Sequence, residues 1–403
     1  MSKWLAIVGI GEDGYAGLSA AARTLIAQAE VLVGGARHLA MLPPEAPPLQ
    51  LPWSSPIETS VAEIVRRRGQ PVCVLASGDP MCYGIGVTLC RVIPVADMTI
   101  VPAPSAYSLA CARLGWALAE VETVSLCGRD PALLHALLYP GARILVLSAG
   151  QQTPGLVASS LRAQGFGGSG LSILERLGGA QERLLQSTAD TWEPSTTVDA
   201  LHTLAITCRA KPGITGWSRL AGLPDSAYQH DGQLTKREVR AVTLAALAPL
   251  PGQLLWDVGA GCGSIGIEWM RSHPRCQAIA IEAHASRRQY LADNAVALGV
   301  PTLRIIAGEA PAALQDLPVP DAVFIGGGLT TERLFEVCWQ TLRSGGRLVA
   351  NAVTVESEQL VLQWQQQYGG ELSRIAVQRA APLGTLRGWK ALAPVTQWSV
   401  VKS

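Results

Sequence analysis

Strand-length apolar runs alternate with helix-period segments along almost the whole of this chain, and the alternation breaks once. "WLAIVGI" is followed by the helical "LSAAARTLIAQAE" and then "VLVGG"; "QPVCVLA" precedes "GIGVTLCRV", "MTIVPA" precedes "SAYSLACARLGW", and "ARILVLSA" precedes "TPGLVASSLRAQG". Such a pattern demands a largely parallel sheet with helices on its faces. Toward residue 208 the runs "LSILERL", "ERLLQST" and "HTLAITC" read as strands with no helix between them. Over residues 209–234 the periodicity is lost in a Gly-, Pro- and polar-rich stretch, as expected of a linker or an arm. A second α/β series then opens with "TKREVRAVTLAAL", where Thr235 and Glu238 fit a capping box. It continues through strands near 253–258, 277–282, 303–307, 321–325 and 346–351, each followed by a helix, and ends in what reads as an antiparallel pair, "ELSRIAVQRAAPL" and "VTQWSVV". The economical division is a domain over 1–208, a linker or arm over 209–234 and a second domain over 235–403. At 403 residues the chain is too long for one ordinary core, in keeping with this division.

Charged residues make up 16% of the chain, below the roughly 25% of average globular proteins, and suit buried parallel sheets. A net charge of +1 gives no bulk attraction for nucleic acid, and the one dense basic run, Arg66-Arg67-Arg68, reads as a solvated helix face. Nine cysteines are scattered without a CxxC pair or Cys/His ligand spacing, so reduced thiols and no metal site are expected. No signal segment and no apolar stretch of membrane-spanning length is legible, which leads to the expectation of a cytoplasmic protein.

The sequence "QLLWDVGAGCGSIGIEW" at 253–269 reads as a buried strand, a glycine turn and a helix start. Such a turn brings backbone close to a ligand and aims helix N–H groups at it. Simple strand-to-helix packing, a dinucleotide site and an S-adenosylmethionine site all use it. Three details favour the last. Asp257 stands just ahead of Gly259, Gly261 and Gly263, where a carboxylate repels a pyrophosphate and suits the ammonium of a methionine moiety. The next strand ends in Glu282, about twenty residues on, where a carboxylate accepts from ribose hydroxyls. After the strand beyond that, Glu309 and Ala310 are placed to flank an adenine.

Residues 213–403 resemble the class I methyltransferases that decarboxylate and methylate precorrin-6B in cobalamin biosynthesis, through "GLPDSAYQHDGQLTKREVRA", "DVGAGCGSIGIE", "AIEAH", "GEAPAAL", "DAVFIGGG" and "LVANAVTVES". The resemblance implies a Rossmann-like class I fold whose S-adenosylmethionine pocket is lined by Thr235, Gly259, Ala260, Gly261, Cys262, Gly263, Glu282 and Ala310. Cys262 replaces the small residue usual in that loop and reads best as a packed thiol.

An earlier glycine loop, "GIGEDG" at Gly9–Gly14, satisfies GxGxxG after a strand, yet the following strand "VLVGGARHL" lacks the acidic end a dinucleotide ribose needs. Residues 4–207 instead resemble the tetrapyrrole (corrin and porphyrin) methylases, through "VGIGEDGYAGLSAAA", "VLASGDPMCYGIG", "VPAPSAYSLACARLG", "ILVLSAG" and "ILERLGGAQERL". That resemblance implies two α/β subdomains with S-adenosylmethionine folded into the cleft between them, and it implicates Ser77, Gly78, Asp79, Cys82, Ser105, Ala106 and Ala149. Asp79 also fits the cap of a helix beginning near Met81. Glu12 departs from the family's usual proline in the first loop.

Taken together, the resemblances imply an enzyme with one S-adenosylmethionine per domain that methylates carbons 5 and 15 of precorrin-6B, removes carbon dioxide from the acetate on carbon 12 and yields precorrin-8. Action on another tetrapyrrole, a cobalt-precorrin or a sirohaem-type intermediate, is the alternative. The partner is then a small-molecule tetrapyrrole, without nucleic acid or membrane, and a homo-oligomer is expected because both families commonly self-associate. No Ser-His-Asp or Cys-His set is present and each histidine stands alone, so no catalytic residue is assigned; electron-rich macrocycle carbons need positioning more than a base. For the substrate's carboxylates, "RIAVQRAAPLGTLRGWK" offers Arg374, Arg379, Arg387 and Lys390, with Arg379, Arg387 and Lys390 as the substrate-binding candidates and Trp389 as a candidate stacking residue.

Overall fold

The structure is a computed structural model that describes residues 3–47 and 49–403. The chain divides into two compact units, with residues up to Thr215 in the first and those from Gly216 in the second, except that Ala132–Leu138 belongs with the second.

The first unit contains two sheets. Strands β1 (Leu5–Ile10), β2 (Val31–Gly34), β3 (Leu49–Pro52), β4 (Val72–Ser77) and β5 (Met98–Val101) form a parallel sheet in the order β3-β2-β4-β1-β5. Every residue of "LAIVGI" in β1 is buried, as a central parallel strand requires. Its side chains alternate between two separate cores: Leu5 and Ile7 pack with Val72 and Val74, whereas Ala6, Val8 and Ile10 pack with Cys73 and Leu75. The second sheet takes β6 (Glu122–Ser125), β7 (Arg143–Leu147), β8 (Gly170–Glu175), β9 (Arg183–Thr188) and β10 (His202–Thr207) in the order β6-β7-β10-β8-β9. Only β6 and β7 are parallel there; β10 lies antiparallel between β7 and β8. The helix-poor run toward residue 208 is what makes this sheet mixed.

The second unit is built on a seven-stranded sheet. Strands β11 (Leu254–Val258), β12 (Gln277–Glu282), β13 (Arg304–Ala307), β14 (Ala322–Ile325) and β15 (Arg347–Ala352) run parallel, in the order β13-β12-β11-β14-β15. The antiparallel pair read from the sequence forms at the chain end, but with a hairpin inserted between its two strands. Strand β16 (Glu371–Ile375) pairs with β19 (Val395–Val401) at the sheet edge, and β17 (Gln378–Leu383) folds with β18 (Leu386–Ala391) into a hairpin of its own. Strand β13 is followed only by a single 3-10 turn, Ala312–Leu314. The strand order reverses between β11 and β14, and in open α/β sheets ligands bind at such a switch point, beyond the carboxyl ends of the strands.

Residues 216–234 are packed on the second unit. Leu223 and Tyr228 are buried, and the Glu268 carboxylate receives the amides of Gly222 and Leu223, the Tyr228 hydroxyl and the Arg240 guanidinium. The expected capping box is absent. The helix Arg237–Leu247 has Lys236 as its N-cap with no side-chain cap bond; Asp225 accepts from the amide of Arg237 at 2.9 Å, and the Glu238 carboxylate is held by Arg379. No helix among the described residues is long and apolar enough to cross a membrane.

Candidate functional site

Each unit carries a cavity at the carboxyl ends of its parallel strands. In the second unit it measures about 670 Å³, within the roughly 300–1,000 Å³ of small-molecule sites. The turn after β11 forms one wall. Gly259 (φ +71°), Gly261 (φ +59°) and Gly263 (φ +85°) all adopt the left-handed conformation that favours glycine. A Cβ on Gly259 would stand 3.0 Å from the amide nitrogen of Gly327, so the β11 and β14 turns touch through backbone. Gly259, Ala260, Gly261 and Cys262 line the cavity, whereas Gly263 turns away toward Leu291 and caps the helix Ser264–Ser272.

Glu282, at the end of β12, lines the cavity and holds this turn in place. It accepts from the amide of Gly261 at 2.8 Å through Oε2 and from the amide of His284 at 2.9 Å through Oε1. Glu309, Ala310, Thr235 and Lys236 share the wall, and the arm supplies Gln233. Asn294 ties arm to turn: its amide side chain bonds both backbone groups of Gln229 and the carbonyl of Cys262. Burial pushes the Cys262 thiol up to about 11, so it stays protonated and packs.

Asp257 takes a different role from the one its spacing suggested. Strand alternation turns it off the cavity and onto the helix Ser264–Ser272, where Oδ2 accepts from the amide of Gly266 at 2.8 Å. Only 1% exposed, and with Oδ1 unbonded, it is pushed up to about 7, chiefly by burial and secondarily by Glu282. It braces the helix start and is not among the residues that line the cavity.

The basic residues expected at the mouth are not among those that line the cavity. Arg379 is clamped between Asp225, at 2.8 Å, and Glu238, at 2.5 Å, and pins β17 to the arm and its helix. Arg374 pairs with Glu358 and Thr396. Arg387, Lys390 and Trp389 lie on the exposed hairpin strand β18, with Trp389 75% exposed and stacked on nothing. Among the described residues it is Lys236, His284 and Arg287 that bring basic groups to this cavity, Arg287 being tied to Asp231 at 2.8 Å.

The cavity of the first unit measures about 460 Å³. Ser77, Gly78, Asp79 and Cys82 reach it from the end of β4, and Ser105 and Ala106 from the turn after β5. Ser105 caps the helix Ala106–Leu114 by accepting from the amide of Ser108. Asp79 accepts from the amide of Met81 at 2.8 Å, but this closes a turn, since the helix begins only at Ile85. The β1 end is drawn tight against this wall: a Cβ on Gly9 would lie 2.0 Å from the Gly78 carbonyl oxygen and 2.5 Å from the Ala103 amide nitrogen. Ala149 is not on the cavity. Its amide is held by Thr153 at the start of the helix Thr153–Ala163, and Leu147 and Ser148 face the cavity instead.

Glu12, noted in the sequence only for standing in place of a proline, and residues the sequence did not single out complete the wall. Glu12, mostly buried, has one carboxylate oxygen against Arg37 and the other 3.5 Å from Arg176. Two of the histidines that looked solitary, His38 and His202, line the same cavity. His38 has Nε2 at 2.8 Å from Arg37 and 3.1 Å from Ser77 Oγ, and burial, with Arg37 beside it, pushes it down to about 4. His202 donates from Nδ1 to the Asp199 carbonyl at 2.7 Å. The signal for Arg37 and His38 was positional: they follow directly on β2, at the carboxyl edge of a parallel sheet, where ligand-facing groups collect.

Comparison with known proteins adds identity to this geometry. Residues 5–192 match the family model of the Tetrapyrrole (Corrin/Porphyrin) Methylases, and residues 226–402 that of the Precorrin methyltransferase domain. The chain is similar to a precorrin-6Y C(5,15)-methyltransferase (decarboxylating) of Sinorhizobium sp, with 50% identity over 402 residues that cover all of this chain and 97% of the relative. It is also similar to a cobalt-precorrin-7 C(5)-methyltransferase of Salmonella typhimurium, 30% identical over 49% of this chain and 93% of that protein. A probable cobalt-precorrin-6B C(15)-methyltransferase (decarboxylating) of Saccharolobus solfataricus is 32% identical over 37% of this chain and 78% of its own. With half of its residues shared along its full length, the chain belongs to the family of the decarboxylating precorrin-6Y C(5,15)-methyltransferases.

Proposed function

We propose that this chain moves two methyl groups from S-adenosylmethionine to carbons 5 and 15 of precorrin-6B and removes carbon dioxide from the acetate on carbon 12, giving precorrin-8. One observation carries the reading: a single chain holds two cavities, on differently built sheets, each walled by glycine-bearing turns at the carboxyl ends of parallel strands. We assign one S-adenosylmethionine to each. The first domain, within 1–208, methylates carbon 5; the second, 235–403 with residues 216–234 of the arm, decarboxylates and methylates carbon 15. The division is supported by the two shorter relatives, whose names give the C(5) reaction and the decarboxylating C(15) reaction to separate proteins.

The residues suit this use. In the second cavity Gly259, Ala260 and Gly261 let the cofactor approach backbone, Glu282 keeps free lone pairs for ribose hydroxyls, and Glu309 and Ala310 flank the base. In the first, Ser77, Gly78, Asp79, Cys82, Ser105 and Ala106 present little bulk beside a flat macrocycle. When bound, S-adenosylmethionine supplies an electrophilic sulfonium methyl group. The carbons that receive it are enamine-like, so the walls act by alignment. The electrons released on decarboxylation pass into the conjugated, protonated macrocycle. Assembly into a homo-oligomer is part of the proposal, and sedimentation of the full-length chain reads it directly.

Mass spectrometry of the product that the full-length chain makes from precorrin-6B tests the function. The expected product has gained two methyl groups and lost one carbon dioxide. A product that keeps every carboxylate, or gains a single methyl group at saturating cofactor, overturns it.

A further inference from the structure

We propose that Glu12, Arg37, His38 and Arg176 form a carboxylate-reading site on the wall of the first cavity, where Glu12 positions the two guanidinium groups and a peripheral carboxylate of the substrate bonds to them and to His38. The inference rests on the reading that this cavity takes a tetrapyrrole.

The four residues arrive from three separate places. Glu12 follows β1, Arg37 and His38 follow β2, and Arg176 follows β8 in the other sheet of the same unit. All line the cavity. Two guanidinium groups this close repel one another. Glu12 offsets the repulsion with an oxygen on each, and it has little freedom to leave: its side chain is 10% exposed, and a Cβ on Gly179 would come within 2.7 Å of its own. Arg176 is steadied further by Asp199, which accepts from Nε at 2.7 Å. Its Nη2 has no partner among the described residues, so that nitrogen is left to donate to a ligand.

His38 supplies an independent observation. Arg37 is always charged and only donates, so the His38 Nε2 that meets Arg37 Nη2 at 2.8 Å holds the lone pair. The ring proton therefore sits on Nδ1. His38 is 6% exposed and its Nδ1 is buried with no acceptor among the described residues. Buried donors are nearly always bonded, so an orphan within a cavity wall is a donor that an acceptor on the ligand satisfies once the wall adjusts to admit it. Burial also keeps the ring neutral, so it adds a donor and no charge.

The ligand group must then offer several lone pairs to the guanidinium hydrogens that remain free and to the His38 ring, which is the description of a carboxylate. Arg37 and Arg176 are balanced by Glu12 and Asp199, so the site acts by short-range hydrogen bonding and not as a long-range attractor. It therefore distinguishes a carboxylate from an ester or amide of the same shape.

The test uses the full-length chain with Arg37→Gln, Arg176→Gln, Glu12→Gln and the charge-keeping Arg37→Lys. Carbon-5 methylation of precorrin-6B, calorimetry with S-adenosylhomocysteine and the melting temperature are read for each. The expected result is a KM for carbon-5 methylation raised about ten- to a hundredfold in both Arg→Gln variants. Arg37→Lys, which folds with its charge but lacks the fork, rises similarly. S-adenosylhomocysteine binding stays unchanged, and carbon-15 methylation and decarboxylation continue on the same chain. Glu12→Gln raises KM while kcat at saturation is kept. Wild-type protein prefers precorrin-6B to its fully amidated form, and Arg37→Gln loses that preference. An unchanged KM, or a loss of S-adenosylhomocysteine binding in step with KM, overturns the site alone. A wild-type chain that leaves carbon 5 unmethylated overturns the underlying reading and the site with it.

Discussion

Glu282 accepts a hydrogen bond from the amide of Gly261 at 2.8 Å, so the carboxylate that ends one strand fixes the glycine turn that leaves its neighbour. This couples the shape of the turn to the group proposed to hold the ribose. Glu282→Ala is expected to weaken S-adenosylhomocysteine binding at the second site by about ten- to a hundredfold, with Glu282→Gln milder because it keeps one acceptor. Calorimetry of the full-length variant reads this as loss of one class of heat.

Glu268 and Arg240 form an ion pair at 2.6 Å with side chains 2% and 0% exposed. Removing one partner of such a pair leaves a buried charge uncompensated, which costs about 3–5 kcal/mol. Glu268→Ala also strips acceptors from Gly222, Leu223 and Tyr228, so the arm that lines the second cavity loosens. Urea denaturation of the full-length chain checks the stability loss, and weaker S-adenosylhomocysteine binding at the second site accompanies it.

Asp257 gives a pH dependence. Its carboxyl titrates near 3.8 when unfolded and at about 7 when folded. Between those values the folded state holds the extra proton, so stability is fully present below pH 4 and is lost as pH rises through 7. The group then costs at most about 4 kcal/mol. Asp257→Asn keeps an acceptor for Gly266 and removes the titration. Its stability relative to wild type is expected to rise from pH 5 to pH 8, as measured by denaturant midpoints; a flat difference contradicts the assignment.

Gly9→Ala tests the tight packing of the first wall. The added methyl group meets backbone atoms of Gly78 and Ala103 that cannot give way without shifting the turns that carry Ser77, Asp79 and Ser105. A cost of about 1–3 kcal/mol and loss of S-adenosylhomocysteine binding at the first site are expected, with the second site intact.

Local pattern carried far in this chain. The strand-helix alternation located the parallel strands, because burial on both faces writes a continuous apolar run, and the left-handed turn at Gly259, Gly261 and Gly263 declared itself by composition. What escaped was set by partners distant in sequence. Thr235 and Glu238 have the spacing of a cap, but Arg379, 141 residues beyond Glu238, takes the carboxylate. Arg379 had been expected on the substrate for the same want of knowledge about Asp225. Asp257 has the right place in sequence, yet strand alternation turned it inward. The cluster of Glu12, Arg37, His38 and Arg176 joins three loops that no spacing rule connects.

The central claim is that one chain binds two methyl donors in two independent sites, and the stoichiometry of S-adenosylhomocysteine on the full-length protein tests it most directly. Equilibrium dialysis is predicted to saturate at two molecules per chain, falling to one in Glu282→Ala at concentrations that fill only the intact site. Saturation of the wild-type chain at one molecule, or at none, contradicts it.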